Sequence, residues 1–140
     1  MEATVRRRSL HIALLVAASY LIVGIAFAQF SDWATTGEMR LTWRRLAWVV
    51  CGVGFAAHIV YEGFRLRNPP HVTAVHASIA AALGAGGLAM AANLHEWRTA
   101  SSYRPSIAIA LLAWPVITGI PAFLVAVVGA ALLNRWRRRC

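Results

Sequence analysis

His58 stands nine residues before Arg67, and His76 stands nine residues after it. If the chain turns near Arg67, two antiparallel helices carry these imidazoles at nearly equal depth, since a helix rises about 1.5 Å per residue. A flat macrocycle held between two helices takes one axial His from each and needs small side chains beside them. Cys51 and Gly54 fall on the His58 face, and Ala80, Gly84 and Gly87 on the His76 face. His58 and His76 are therefore the candidate axial ligands of a b-type haem passing electrons. The plainer use of both is hydrogen bonding to carbonyls, or to hydroxyls such as those of Thr73 and Ser78, holding helices together. Ionisable groups inside a bilayer are functional candidates in either case. His11 enters from the same side, while His71 and His95 fall at the borders of apolar runs.

Other chemistry has little to stand on. Paired carboxylates, a Ser-His-Asp set, an HExxH pair and a phosphate-cradling glycine loop are absent from the sequence. Glu62 and Glu96 sit at the edges of apolar runs rather than within them. Proton-coupled transporters usually hold a carboxylate near the membrane midplane, so this pattern argues against a coupled antiporter and, more broadly, against an enzyme. Cys51 has no CxxC partner and reads as a small packing residue. Cys140 follows an Arg cluster without a CaaX pattern.

The elements that must position the histidines are long and apolar. Hydrophobic residues make up 59% of 140 positions, against roughly 45–50% in soluble domains. They concentrate in four runs, residues 10–30, 46–61, 72–94 and 107–133. A bilayer core takes about 20 apolar residues of helix. The second run is short, but flanking residues can extend it while their charges reach outward. The expected helices are about 10–30, 43–66, 71–94 and 107–133. A cleaved signal peptide competes for the first run, with Ala26-Phe27-Ala28 as a small-x-small site; its length favours a retained helix.

Polar connections are expected at 31–45, 62–70 and 95–106. Asn68-Pro69-Pro70 stops the second helix by Arg67, because neither proline donates a backbone bond and the residue before a proline avoids helix. Trp33, Trp43 and Trp48 suit an aromatic belt. In the third run Ala77, Ala81, Ala85 and Ala89 recur every four residues, with Gly84 and Gly87 between them. Small residues at this spacing let helix backbones approach, so this helix is expected at the centre. Pro115 and Pro121 are expected to kink the last helix.

The net charge of +9 comes entirely from Arg. These residues border apolar runs instead of forming a patch on a soluble fold, so nucleic acid is excluded as a partner and topology is indicated. With both termini cytoplasmic, that side holds Arg6, Arg7, Arg8, Arg65, Arg67, Arg135, Arg137, Arg138 and Arg139, against Arg40, Arg44, Arg45, Arg98 and Arg104 opposite. The inner cluster can also attract anionic lipid headgroups.

The sequence thus predicts an all-α integral membrane protein. Residues 1–140 form a single bundle of four transmembrane helices with short loops, a multi-pass protein of the bacterial inner membrane with both ends inside. The expected function is non-catalytic, as an oligomeric channel or transporter or as an accessory subunit of a larger membrane complex. The partners are then the lipid bilayer and further membrane subunits. Haem ligation by His58 and His76 is the alternative.

Overall fold

A computed structural model describes residues 2–99 and 105–139. Four α-helices follow one another: α1 (Glu2–Asp32), α2 (Gly37–Tyr61), α3 (Pro70–Thr99) and α4 (Pro105–Arg137). One turn of π-helix, Glu62–Leu66, continues α2. Each helix contains a stretch long and apolar enough to cross a membrane: Leu10–Asp32, Gly37–Leu66, Pro70–His95 and Ile109–Arg137. Their outer faces are apolar, with Leu15, Ile22, Val53 and Leu112 each 66% exposed or more. Water-soluble monomers rarely show such continuous apolar surface.

The contacts define an up-down-up-down bundle. Ala17 and Tyr20 of α1 meet Gly84 of α3, and Leu21 meets Gly87, so α1 and α3 run parallel. Ala74 and Ala77 of α3 pack with Ala126 and Ala130 of α4, while Gly86 meets Pro115, so α3 and α4 are antiparallel. The expected centrality of the third helix is present in this arrangement, since α3 alone packs broadly on both α1 and α4. Of its expected packing residues, Ala77, Gly84 and Ala89 are buried and Ala81, Ala85 and Gly87 are half-buried. The helix divides them by face. Ala77 joins the α4 side, and Ala80, with Gly84 and Gly87, the α1 side.

Two connections are shorter than the sequence reading, 31–45 and 95–106. Residues 31–45 are mostly helical. Thr36 caps α2 by accepting a bond from the Met39 amide at 3.2 Å, and Glu38 in the first turn suits the helix dipole. Within this turn the Thr42 hydroxyl satisfies itself by donating to the Glu38 carbonyl at 2.9 Å. The last helix runs unbroken through Pro115 and Pro121. The third helix continues to Thr99, and the rest of the expected 95–106 connection, 100–104, lies outside the described residues, as does Cys140.

The connection between α2 and α3 is the tightest piece of backbone. The Arg67 amide donates to the Glu62 carbonyl, closing the π-turn, and the Asn68 amide donates to the same oxygen at 3.2 Å. This requires Arg67 at φ 53, the one positive φ among the described residues. A left-handed residue bearing a Cβ is strained by about 1 kcal/mol or more. Arg67→Gly is therefore expected to raise unfolding stability in detergent by about 1 kcal/mol, and Arg67→Val to lower it, as read by thermal unfolding. The candidate membrane-surface residues Arg65, Arg67, Arg137, Arg138 and Arg139 are exposed at this end of the bundle. Arg6, Arg7 and Arg8 belong to the first turns of α1, where side chains lie outside the described residues.

Candidate functional site

The α2–α3 connection gathers a polar cluster inside the end of the bundle that bears both chain termini. His58 lies in the last turn of α2 and Glu62 one turn later, so both point from one helix face. The π-turn, Arg67 and the two prolines then reverse the chain and bring α3 back alongside. The His58 Nε2 lies 3.3 Å from Glu62 Oε1, and His76 Nδ1 lies 2.9 Å from that same oxygen and 3.2 Å from Oε2. The Asn68 amide donates to Oε2 at 3.1 Å. Glu62 is 0% exposed and His58 4%, while the His76 side chain is 16% exposed.

This overturns the reading of Glu62 as an edge residue. Counted along its own helix, Glu62 is at the border of an apolar run. In three dimensions, neighbouring helices and the returning loop bury it completely. A carboxylate taken out of water is costly unless charged or polar partners satisfy it. An ionised carboxylate only accepts, so the three facing nitrogens must each present N–H to it. The other ring nitrogen of His58, Nδ1, is buried without a partner.

The matched depth expected of His58 and His76 is present, since both reach one oxygen atom. What joins them is a carboxylate. The alternative of a haem between them does not fit this arrangement. The space between the ring nitrogens is filled by Glu62. The small residues expected to make room are themselves covered: a Cβ on Gly84 would stand 2.8 Å from Tyr20 Cβ, one on Gly54 3.5 Å from the Tyr20 ring, and one on Gly87 3.1 Å from Leu21. Ala80 is fully buried in a cluster with Ala13, Ala17 and Tyr20, and Cys51 packs against it. Among the described residues, no group of three or more His, Cys, Asp and Glu side chains is arranged to hold a metal ion.

Glu62 is the member of the buried cluster that sequence reasoning missed. A usable signal was present in the four-residue spacing of His58 and Glu62, followed by a Pro-Pro turn that returns another His. The cluster adjoins a second polar group. Arg137 of α4 donates to the Gly63 carbonyl at 2.9 Å and to Asn134 Oδ1 at 3.2 Å, tying the end of α4 to the π-turn. At the opposite end, Trp43 packs on Phe27 and Phe30, with ring centroids 6.0 and 5.1 Å away. Trp33 is largely exposed there, which suits an aromatic belt, whereas the exposed Trp48 lies eleven residues into α2, about 16 Å from its start. Comparison with known proteins finds no matching family model, no matching curated protein and no matching solved structure.

Proposed function

We propose that this chain is a multi-pass protein of the bacterial inner membrane, with both termini cytoplasmic, that transports a solute in step with protonation of the His58–Glu62–His76 cluster. The observation that carries this reading is the fully buried Glu62 carboxylate between two imidazoles. Such groups in membrane helices mark proton relays and coupling sites. The absence of a midplane carboxylate, the objection raised by the sequence, loses its force once Glu62 is enclosed by the bundle. The helices described here meet through Ala and Gly at contact distance, which leaves little width for a solute between them. The working unit is therefore an assembly of several copies, or of this chain with other membrane subunits.

The test is reconstitution into liposomes loaded with a pH-sensitive dye. An imposed pH gradient should collapse faster with the wild-type protein than in empty vesicles, and Glu62→Gln should abolish the difference. Particles weighed in mild detergent should exceed one 15.2 kDa chain. A strictly monomeric protein that moves no protons overturns the proposal.

A further inference from the structure

The end of the bundle that bears the chain termini carries positive charge without counter-charge. Arg65 lies in the π-turn and Arg67 just after it, while Arg135, Arg137, Arg138 and Arg139 close the chain end of α4; all six are exposed. Gly63 and Arg137 are 74 residues apart in sequence, yet the Arg137 guanidinium donates to the Gly63 carbonyl at 2.9 Å and to Asn134 Oδ1 at 3.2 Å, so the fold joins the two groups of arginines. Among the described residues no exposed acidic side chain shares this end. Glu62 is buried and taken by His58, His76 and Asn68, and Asp32 and Glu38 lie at the opposite end. The two bonds fix Arg137 in place and use two of its five N–H groups. The remaining donors form an ordered fork, the geometry that takes phosphate oxygens in pairs.

Beside this guanidinium is a small, mostly apolar recess walled by Phe64, Ala130 and Leu133. Phe64 also belongs to the outer face of α2 and its π-turn. Val60 lies one turn below it and Val53 two turns below Val60 on the same side, and the three are 40, 43 and 66% exposed. An apolar track therefore runs from the cationic corner along the outside of the bundle. We propose that this corner binds one anionic phospholipid. Its phosphate sits on the Arg137 fork within the field of Arg65 and Arg67, its ester region lies against Phe64 and Leu133, and an acyl chain follows Val60 and Val53. Charge complementarity selects an anionic headgroup over a neutral one. The apolar track selects a lipid over free phosphate, which has nothing to place on Phe64. The site is separate from the buried cluster and does not depend on proton transport.

The test is a titration of the full chain in mild detergent, read by native mass spectrometry. The probes are phosphatidylglycerol, phosphatidylcholine of the same chain length, and inorganic phosphate. One phosphatidylglycerol should bind per chain, at least tenfold more tightly than phosphatidylcholine, and phosphate alone should not be retained. Arg137→Gln should weaken phosphatidylglycerol at least tenfold. Arg137→Lys, which keeps the charge and loses the fork, should weaken it severalfold. The pair Arg65→Gln and Arg67→Gln leaves both bonds of Arg137 intact and should also weaken it at least fivefold; this pair decides the matter if Arg137→Gln does not elute as wild type. Arg40→Gln with Arg44→Gln, at the opposite end, should change nothing. Equal binding of the two lipids overturns the proposal, as does retention of phosphate alone as tightly as phosphatidylglycerol. Equal weakening by the Arg40 and Arg44 pair shows diffuse charge attraction and overturns it too.

Discussion

Glu62→Gln should abolish gradient-driven proton movement while leaving the bundle folded. Glutamine has the shape of glutamate and keeps one carbonyl oxygen to accept from His58 and His76. Its NH₂ group then faces Asn68, whose amide can turn to present its own oxygen, so the network closes again without charge. What disappears is the proton-binding carboxylate. Flux should fall about a hundredfold or more, to the level of empty vesicles, a loss in the range seen when a general acid–base group is removed. The wild-type rate should rise as the side bearing the termini is acidified, and the variant should show no such response. Glu62→Ala separates charge from structure. It leaves two imidazoles and an amide buried without an acceptor, and breaking a buried ionic network in this way costs about 3–5 kcal/mol. The alanine variant should therefore unfold early in a denaturant titration, whereas the glutamine variant should follow the wild type. A Gln variant that transports normally removes Glu62 from the mechanism.

Gly84→Ala should be the most damaging single-methyl change in the bundle. A Cβ at Gly84 would stand 2.8 Å from Tyr20 Cβ, 3.3 Å from its ring and 3.4 Å from the Ala17 carbonyl oxygen. Two of these atoms are backbone or attached directly to it, so relief requires α1 to move away from α3. Overpacking of this kind costs about 1–3 kcal/mol. Distance alone gives a different ranking, because a Cβ at Gly24 would meet Leu88 at 2.6 Å. Those Leu88 atoms are the ends of a flexible side chain and can rotate aside, so Gly24→Ala should cost less than about 1 kcal/mol. Gly52 has nothing within 4 Å, and Gly52→Ala should stabilise α2 by up to about 1 kcal/mol. Thermal unfolding of the three variants in one detergent gives the order Gly52→Ala, Gly24→Ala, Gly84→Ala from most to least stable. Equal losses at Gly24 and Gly84 contradict the α1–α3 contact described here.

The same contact explains why the haem reading was attractive and why it does not fit. Gly54, Gly84 and Gly87 share faces with the two histidines, and on one helix a glycine looks like room for a ligand. Tyr20 and Leu21 come from a helix far away in sequence and take up that room. A glycine leaves space; which side chain occupies it depends on how the helices are arranged.

Four helices, their approximate extents, the turn at Asn68-Pro69-Pro70 and the equal depth of His58 and His76 were all legible in the amino-acid order. Each follows from local rules: apolar run length, the missing proline N–H and the fixed rise of a helix. The start of α2 at Gly37 rather than near residue 43 was not, because hydropathy registers Glu38 and Arg40 as polar while a helix capped by Thr36 carries them without difficulty. The burial of Glu62 was decided by tertiary structure alone. Hydropathy measures how far a charge lies from the middle of its own helix, but the solvent around a side chain is set by what packs against it. Here α3, the π-turn and Asn68 close over a carboxylate that its own helix would have left at the surface.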